Sequence, residues 1–152
     1  MHKRPLIAIL AAASVAAGAT VAEAAVPKGT YSGKTSDGGA VKLTVSKTQK
    51  LVKVTRKSLR FTCTDGDKFR SLSATASGSV DVADGSFDIS DTTESDGVTW
   101  AMTGKFSTKK RKVKGTYSET RRFNDQNELD PNGTITCKTA ALTYSAALPK
   151  KR

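Results

Sequence analysis

Five cations crowd one short stretch of this chain: Lys109, Lys110, Arg111, Lys112 and Lys114. A second series, Lys50, Lys53, Arg56, Lys57 and Arg60, lines another segment, and Pro149, Lys150, Lys151 and Arg152 form a basic tail. Such clusters hold phosphate or sulfate groups through charge alone, with an affinity that falls as salt rises. No aromatic side chains interleave with them, so stacking on nucleic-acid bases is not indicated. Lysine on an exposed strand also blocks sheet-to-sheet aggregation, which is a purely structural use of the same residues.

Carboxylates are the other reactive groups. A pair about 5–10 Å apart across a groove could hydrolyse glycosides, and Asp65 with Asp67, or the acidic run from Asp81 to Asp96, supplies candidates. Asp65, Asp84 and Asp96 each precede a glycine, a pattern that turn formation alone explains. Oxygen ligands also gather in the loop Asp125, Asn127, Glu128, Asp130 and Asn132. Their spacing lacks the glycine and terminal glutamate of an EF-hand, so a solvated loop is favoured over a calcium site.

The N-terminus decides what other chemistry is open. His2, Lys3 and Arg4 precede an Ala-rich apolar run from Leu6 to about Val21, and Ala22, Glu23 and Ala24 make a small-x-small cleavage pattern. This reads as a secretory signal over residues 1–24, leaving a single domain over 25–152 that is secreted or held at the cell envelope. The run is short for a spanning helix, which needs roughly 20 apolar residues, and the mature chain has no second one. His2 is the only histidine and leaves with the signal. Histidine triads and histidine-ligated metals are thereby excluded, and no cofactor or metal is expected.

The elements that must position these groups are strands. Val41, Leu43 and Val45 alternate with polar residues, as do Val52 and Val54, then Leu59, Phe61 and Cys63. Val80 with Val82, Phe87 with Ile89, Trp100 with Met102, and Ile135 with Cys137 repeat the pattern. A period of two with one apolar face marks half-buried antiparallel strands. Asp37-Gly38-Gly39, Asp65-Gly66, Asp84-Gly85 and Asp96-Gly97 punctuate them. The expected fold is all-β, an antiparallel sandwich or a small up-and-down barrel of about eight or nine strands. Phe61, Phe87, Trp100 and Tyr117 fill its core or line a cavity within it. Lys28–Ser32 and Lys114–Ser118 both read Lys-Gly-Thr-Tyr-Ser, each placing a glycine before an inward aromatic.

Charge is unevenly distributed. Between Ser71 and Gly104 there are six acids and no Lys or Arg, and the flanking segments are strongly basic. Cys63 and Cys137 are the only cysteines, and in an exported chain they pair as a disulfide. The order Gly29, Tyr31, Gly33, Thr35, then Cys63, Asp65, Gly66, then Gly104, Phe106, Val113, Gly115, Tyr117, and last Asp130, Pro131, Asn132, Gly133, Cys137 resembles a group of small exported bacterial β proteins. The resemblance covers most of the chain and implies a disulfide-stapled secreted β domain without a catalytic signature. The sequence therefore points to a non-enzymatic binding or envelope-associated domain whose basic surface meets an anionic polymer. Lys53, Arg56 and Lys57 are expected to act there with the 109–114 cluster. A carrier of a small apolar ligand and a carboxylate glycosidase are the alternatives.

Overall fold

The computed structural model describes residues 25–92, 96–107 and 109–150; residues 1–24, expected from the sequence to be a signal, lie outside them. The chain forms eleven strands: β1 (Gly29–Thr35), β2 (Ala40–Val45), β3 (Lys50–Lys57), β4 (Arg60–Cys63), β5 (Lys68–Arg70), β6 (Ala74–Asp81), β7 (Ser86–Asp91), β8 (Val98–Phe106), β9 (Lys112–Phe123), β10 (Ile135–Lys138) and β11 (Leu142–Ala147). All pair antiparallel in one sheet that does not close. The all-β antiparallel fold expected from the sequence is what forms, with its strands joined in a single sheet that is not closed.

β9 is the spine. β8 pairs along one edge of it, from Val98↔Arg121 to Phe106↔Val113. Its other edge is shared: β11 takes Lys112 to Tyr117, and β10 takes Thr120 to Phe123. The sheet forks there. One limb runs β11-β1-β2-β3-β6, and the other is the short branch β10-β4-β5. The main path β6-β3-β2-β1-β11-β9-β8-β7 therefore begins and ends on strands adjacent in sequence. The Asp84–Gly85 turn joins those two ends, and no ladder between β6 and β7 is formed among the described residues. A narrow slit separates them.

The alternation seen in sequence sets the inner face. Tyr31, Leu43, Val54, Phe87, Met102, Phe106, Val113, Tyr117 and Tyr144 are buried together. The ring of Tyr31 meets Phe106 edge-on at 5.2 Å. Its hydroxyl donates to the carbonyls of Pro27 and Lys110, and burial pushes its pKa up to about 12. The curl of the sheet brings backbones close at two glycines. A Cβ on Gly104 would sit 2.2 Å from the Phe87 ring, and one on Gly115 would sit 1.9 Å from the Thr103 carbonyl oxygen. Both therefore exclude any side chain. The branch carries a smaller core, in which Phe61 stacks on Phe69 at 5.0 Å and Phe69 meets Phe123 edge-on. The Cys63–Cys137 disulfide bridges directly opposed residues of β4 and β10.

β3 does not alternate perfectly. Its register against both β2 and β6 shifts near Val52, so Leu51 and Val54 point inward and Val52 is only half-buried. An irregularity of this kind bends the strand and adds twist, which suits its place beside the slit.

Candidate functional site

The register assembles a basic outer face that no single segment displays. Lys57 lies opposite Ala40, Ala40 opposite Lys34, Lys34 opposite Ser145, Ser145 opposite Lys114, and Lys114 opposite Lys105. That row crosses β3-β2-β1-β11-β9-β8, roughly 24 Å at about 4.8 Å per strand. The next row reads Thr55, Lys42, Ser32, Ala147 and Lys112, and a third starts with Lys53, Thr44 and Thr30. Lys34, Lys42, Lys53, Lys57, Lys105, Lys112 and Lys114 are all exposed. The only acid in these six strands is Glu119, and it is buried. Lys105 and Lys114 are directly opposed like charges, an arrangement that costs stability unless an anion neutralises it.

Two residues expected on this surface are elsewhere. Lys110 is buried, at a turn with φ 54°, where its carbonyl accepts the Tyr31 hydroxyl. Arg56 is 6% exposed and points inward in phase with Val54. Lys109, Arg111, Lys112, Lys114, Lys53 and Lys57 remain on the outside. Arg111 reaches the Pro149 carbonyl at 2.7 Å and so ties the tail to the hairpin. Of the acidic run, Asp81 on β6 and Asp91 on β7 flank the slit, and Asp81 meets Lys50 at 2.9 Å.

Arg56 belongs to a buried polar cluster. Its Nε donates to Glu119 Oε2 at 2.8 Å, and Arg121 Nε and Nη2 both contact Glu119 Oε1 at 2.7 Å. The Tyr117 hydroxyl also donates to Glu119 Oε2. The backbone N–H of Glu119 donates to Thr139 Oγ1. The Arg56 guanidinium lies 5.0 Å from the Trp100 ring centroid and 5.8 Å from that of Tyr117. Arg121 covers Phe61 at 4.9 Å, linking the main core to the branch. Arg56 Nη1 is buried without a hydrogen-bond partner among the described residues.

Burial drives the Glu119 carboxyl upward, but Arg56, the Tyr117 hydroxyl and Arg121 together hold it below the usual carboxylate range. Burial and the Glu119 charge push the Tyr117 phenol upward. Glu119 is thus a fixed anion rather than a proton-transfer group at neutral pH. Because its folded pKa is depressed, its contribution to stability is complete above the unfolded value of about 4.3 and is lost as pH falls through the folded one. Thermal unfolding followed from pH 7 downward should show stability dropping below about pH 4. The drop should be shallower in Glu119→Gln. Equal slopes in the two proteins would refute the assignment.

The remaining sequence candidates resolve into local structure. Asp65, Asp84, Asp96 and Asp130 each accept a backbone N–H two residues on, as turn formers do. Asn124 accepts the N–H groups of Gln126 and Glu128 within the oxygen-rich loop. Among the described residues no group of three or more His, Cys, Asp or Glu converges as metal ligands would. Phe61, Phe87 and Tyr117 are packed in the two cores, whereas Trp100 is half-buried beside the slit. No protein-family model, curated protein or solved structure matches the chain.

Proposed function

We propose that this is an exported, non-enzymatic binding domain whose basic outer face docks on an anionic polymer of the cell envelope. The observation that supports it most directly is the segregation of charge: seven exposed lysines and no exposed acid across six adjoining strands. Between the lysines stand serine, threonine and alanine, whose short side chains leave the lysines open to an extended chain. Successive lysines of the first row stand about 5–10 Å apart across the strands, spacings that suit repeated phosphate or carboxylate groups. Solubility alone calls for mixed signs on a surface, and mixing is what this face lacks.

The test is binding of the mature, oxidised protein to a phosphate-rich wall polymer and to a neutral polysaccharide across a salt series. Affinity for the anionic polymer should fall steeply with salt, and the neutral one should not bind. Changing Lys34, Lys42, Lys57 and Lys114 together to Gln should lower the log–log salt slope by roughly 0.7–0.9 per lysine removed. The same number of changes placed at Lys28, Lys47, Lys68 and Lys138 should have little effect. Equal losses from both sets would reduce the interaction to net charge and overturn the reading.

A further inference from the structure

The main path of the sheet ends on two strands that leave one turn together and do not pair. No ladder joins β6 to β7 among the described residues. Counted from the Asp84–Gly85 turn, residues 76–78 and 89–91 stand opposite one another, and a cavity of about 240 Å³ lies between them. Successive residues of a strand point to opposite faces. Three in a row on each wall therefore mean that the two backbone edges border the cavity. Leu51, Val54, Ile89 and Trp100 give it an apolar side, and Lys53 of the lysine face reaches it from β3.

A free edge presents unpaired N–H and C=O groups, which an added strand can match. Proteins ordinarily guard such edges with lysine, proline or very short strands. The edge at β5 has that protection, being three residues long with Lys68 and Arg70. β6 and β7 have eight and six residues and no Lys, Arg or Pro. β7 is also regular, pairing with β8 at all six positions without a shift. Ala76 and Gly78 add little bulk to the β6 wall. The charge around these edges is anionic. The segment from Ser71 to Gly104 holds six acids and no Lys or Arg, and Asp88 is exposed on the outer side of β7.

We propose that the slit takes up an extended peptide segment of a partner protein as an added strand along β7. Alternate apolar residues of that segment lie inward against Leu51, Ile89 and Trp100, and the intervening Lys or Arg stand outward near Asp88. The inference does not rest on polymer binding, since the lysine face repels such a segment.

The hexapeptide acetyl-Val-Lys-Val-Lys-Val-Lys-amide is the probe. Titrated into the mature, oxidised protein, it should saturably change the fluorescence of Trp100, the only tryptophan in the chain. N-methylation of alternate peptide nitrogens removes the donors on one side of the strand. At least one of its two phases should bind at least about tenfold more weakly, the loss expected for one or two hydrogen bonds. Glutamate in place of the peptide's lysines should weaken binding at least about fivefold, because like charges across strands repel. Ala76→Leu fills the slit and should abolish the response. Ser77→Lys with Asp88→Lys changes only exposed outer positions and should weaken binding at least about tenfold, with the circular dichroism spectrum retained. The variant with Lys34, Lys42, Lys57 and Lys114 changed to Gln should respond as the wild type does. No saturable change into the millimolar range would overturn the proposal. So would undiminished binding of both N-methylated phases or of the glutamate peptide, or a response that survives the paired lysine substitutions.

Discussion

Glu119→Gln should lower the stability of the folded domain by about 3–5 kcal/mol, because it leaves the buried guanidinium of Arg56 and the half-buried one of Arg121 facing a neutral amide. A single domain has only about 5–15 kcal/mol in all. For a chain of this size the loss corresponds to a fall in Tm of roughly 10–20 °C. The arithmetic rests on geometry: Glu119 accepts from Arg56, Arg121 and the Tyr117 hydroxyl, and its side chain is fully buried. Gln keeps the shape but loses the charge and gains an N–H₂ that must face a donor. The opposite experiment separates pairing from packing. Glu119→Met combined with Arg56→Met and Arg121→Leu removes every charge of this cluster, and such replacements are often neutral or stabilising. Thermal unfolding followed by circular dichroism, with the exposed Lys114→Gln as control, decides it. A loss below about 1 kcal/mol for Glu119→Gln is what an ordinary surface change produces and would mean the cluster is hydrated rather than buried.

This cluster was legible in the sequence to a reader who followed strand parity past the apolar residues. Glu119 is in phase with Val113 and Tyr117, and Arg56 is in phase with Val54. Two opposite charges at inward positions are a signal that charge counting, which assigned Arg56 to the surface, does not use. Most strands carrying large apolar residues were equally legible, as was the disulfide, although the alternation of Leu142, Tyr144 and Ala146 in β11 went unread. β5 and all of β6 but its end at Val80 were not. β5 is three residues long with no alternation, and β6 offers only the half-buried Ala74 and Ala76 ahead of Val80, so neither has a strong hydrophobic period to read. The lysine face was hidden for a different reason. Lys34, Lys42 and Lys105 are isolated in sequence and become neighbours of Lys57 and Lys114 only through ladder register. Clusters such as 109–114 are conspicuous in sequence because they are contiguous, yet a contiguous stretch on a hairpin must turn some members inward, as Lys110 shows.

Replacing Cys63 and Cys137 with Ala should cost about 4–5 kcal/mol, the second large effect expected of this fold. The bond closes a loop across a sequence separation of 74, and in the chain-entropy model a loop of that length stabilises by about that amount. The consequence is local as well as global. β4 and β5 join the sheet through β10, whose ladder to β4 contains only Cys137↔Cys63 and Lys138↔Thr62. β10 in turn holds β9 over four residues. Without the disulfide the branch keeps its small Phe61, Phe69 and Phe123 core, the backbone bond from Thr64 to Thr136, and the contacts of Arg60 and Arg70 with Asp37. Denaturant unfolding with and without reductant should shift its midpoint accordingly. Amides of β4 and β5 should exchange faster by a larger factor than those of β1, β2 and β3. Uniform acceleration throughout would mean that the branch is no separate unit, and a shift below about 1 kcal/mol would remove the disulfide as a main support. The lysine face lies wholly on β1, β2, β3, β8, β9 and β11. Polymer binding should therefore survive reduction wherever those strands stay protected, whereas Arg121, packed on Phe61, should carry the disturbance to Glu119 and on to Trp100. Reduction should accordingly alter the fluorescence of Trp100, the only tryptophan in the chain, before it weakens the basic face.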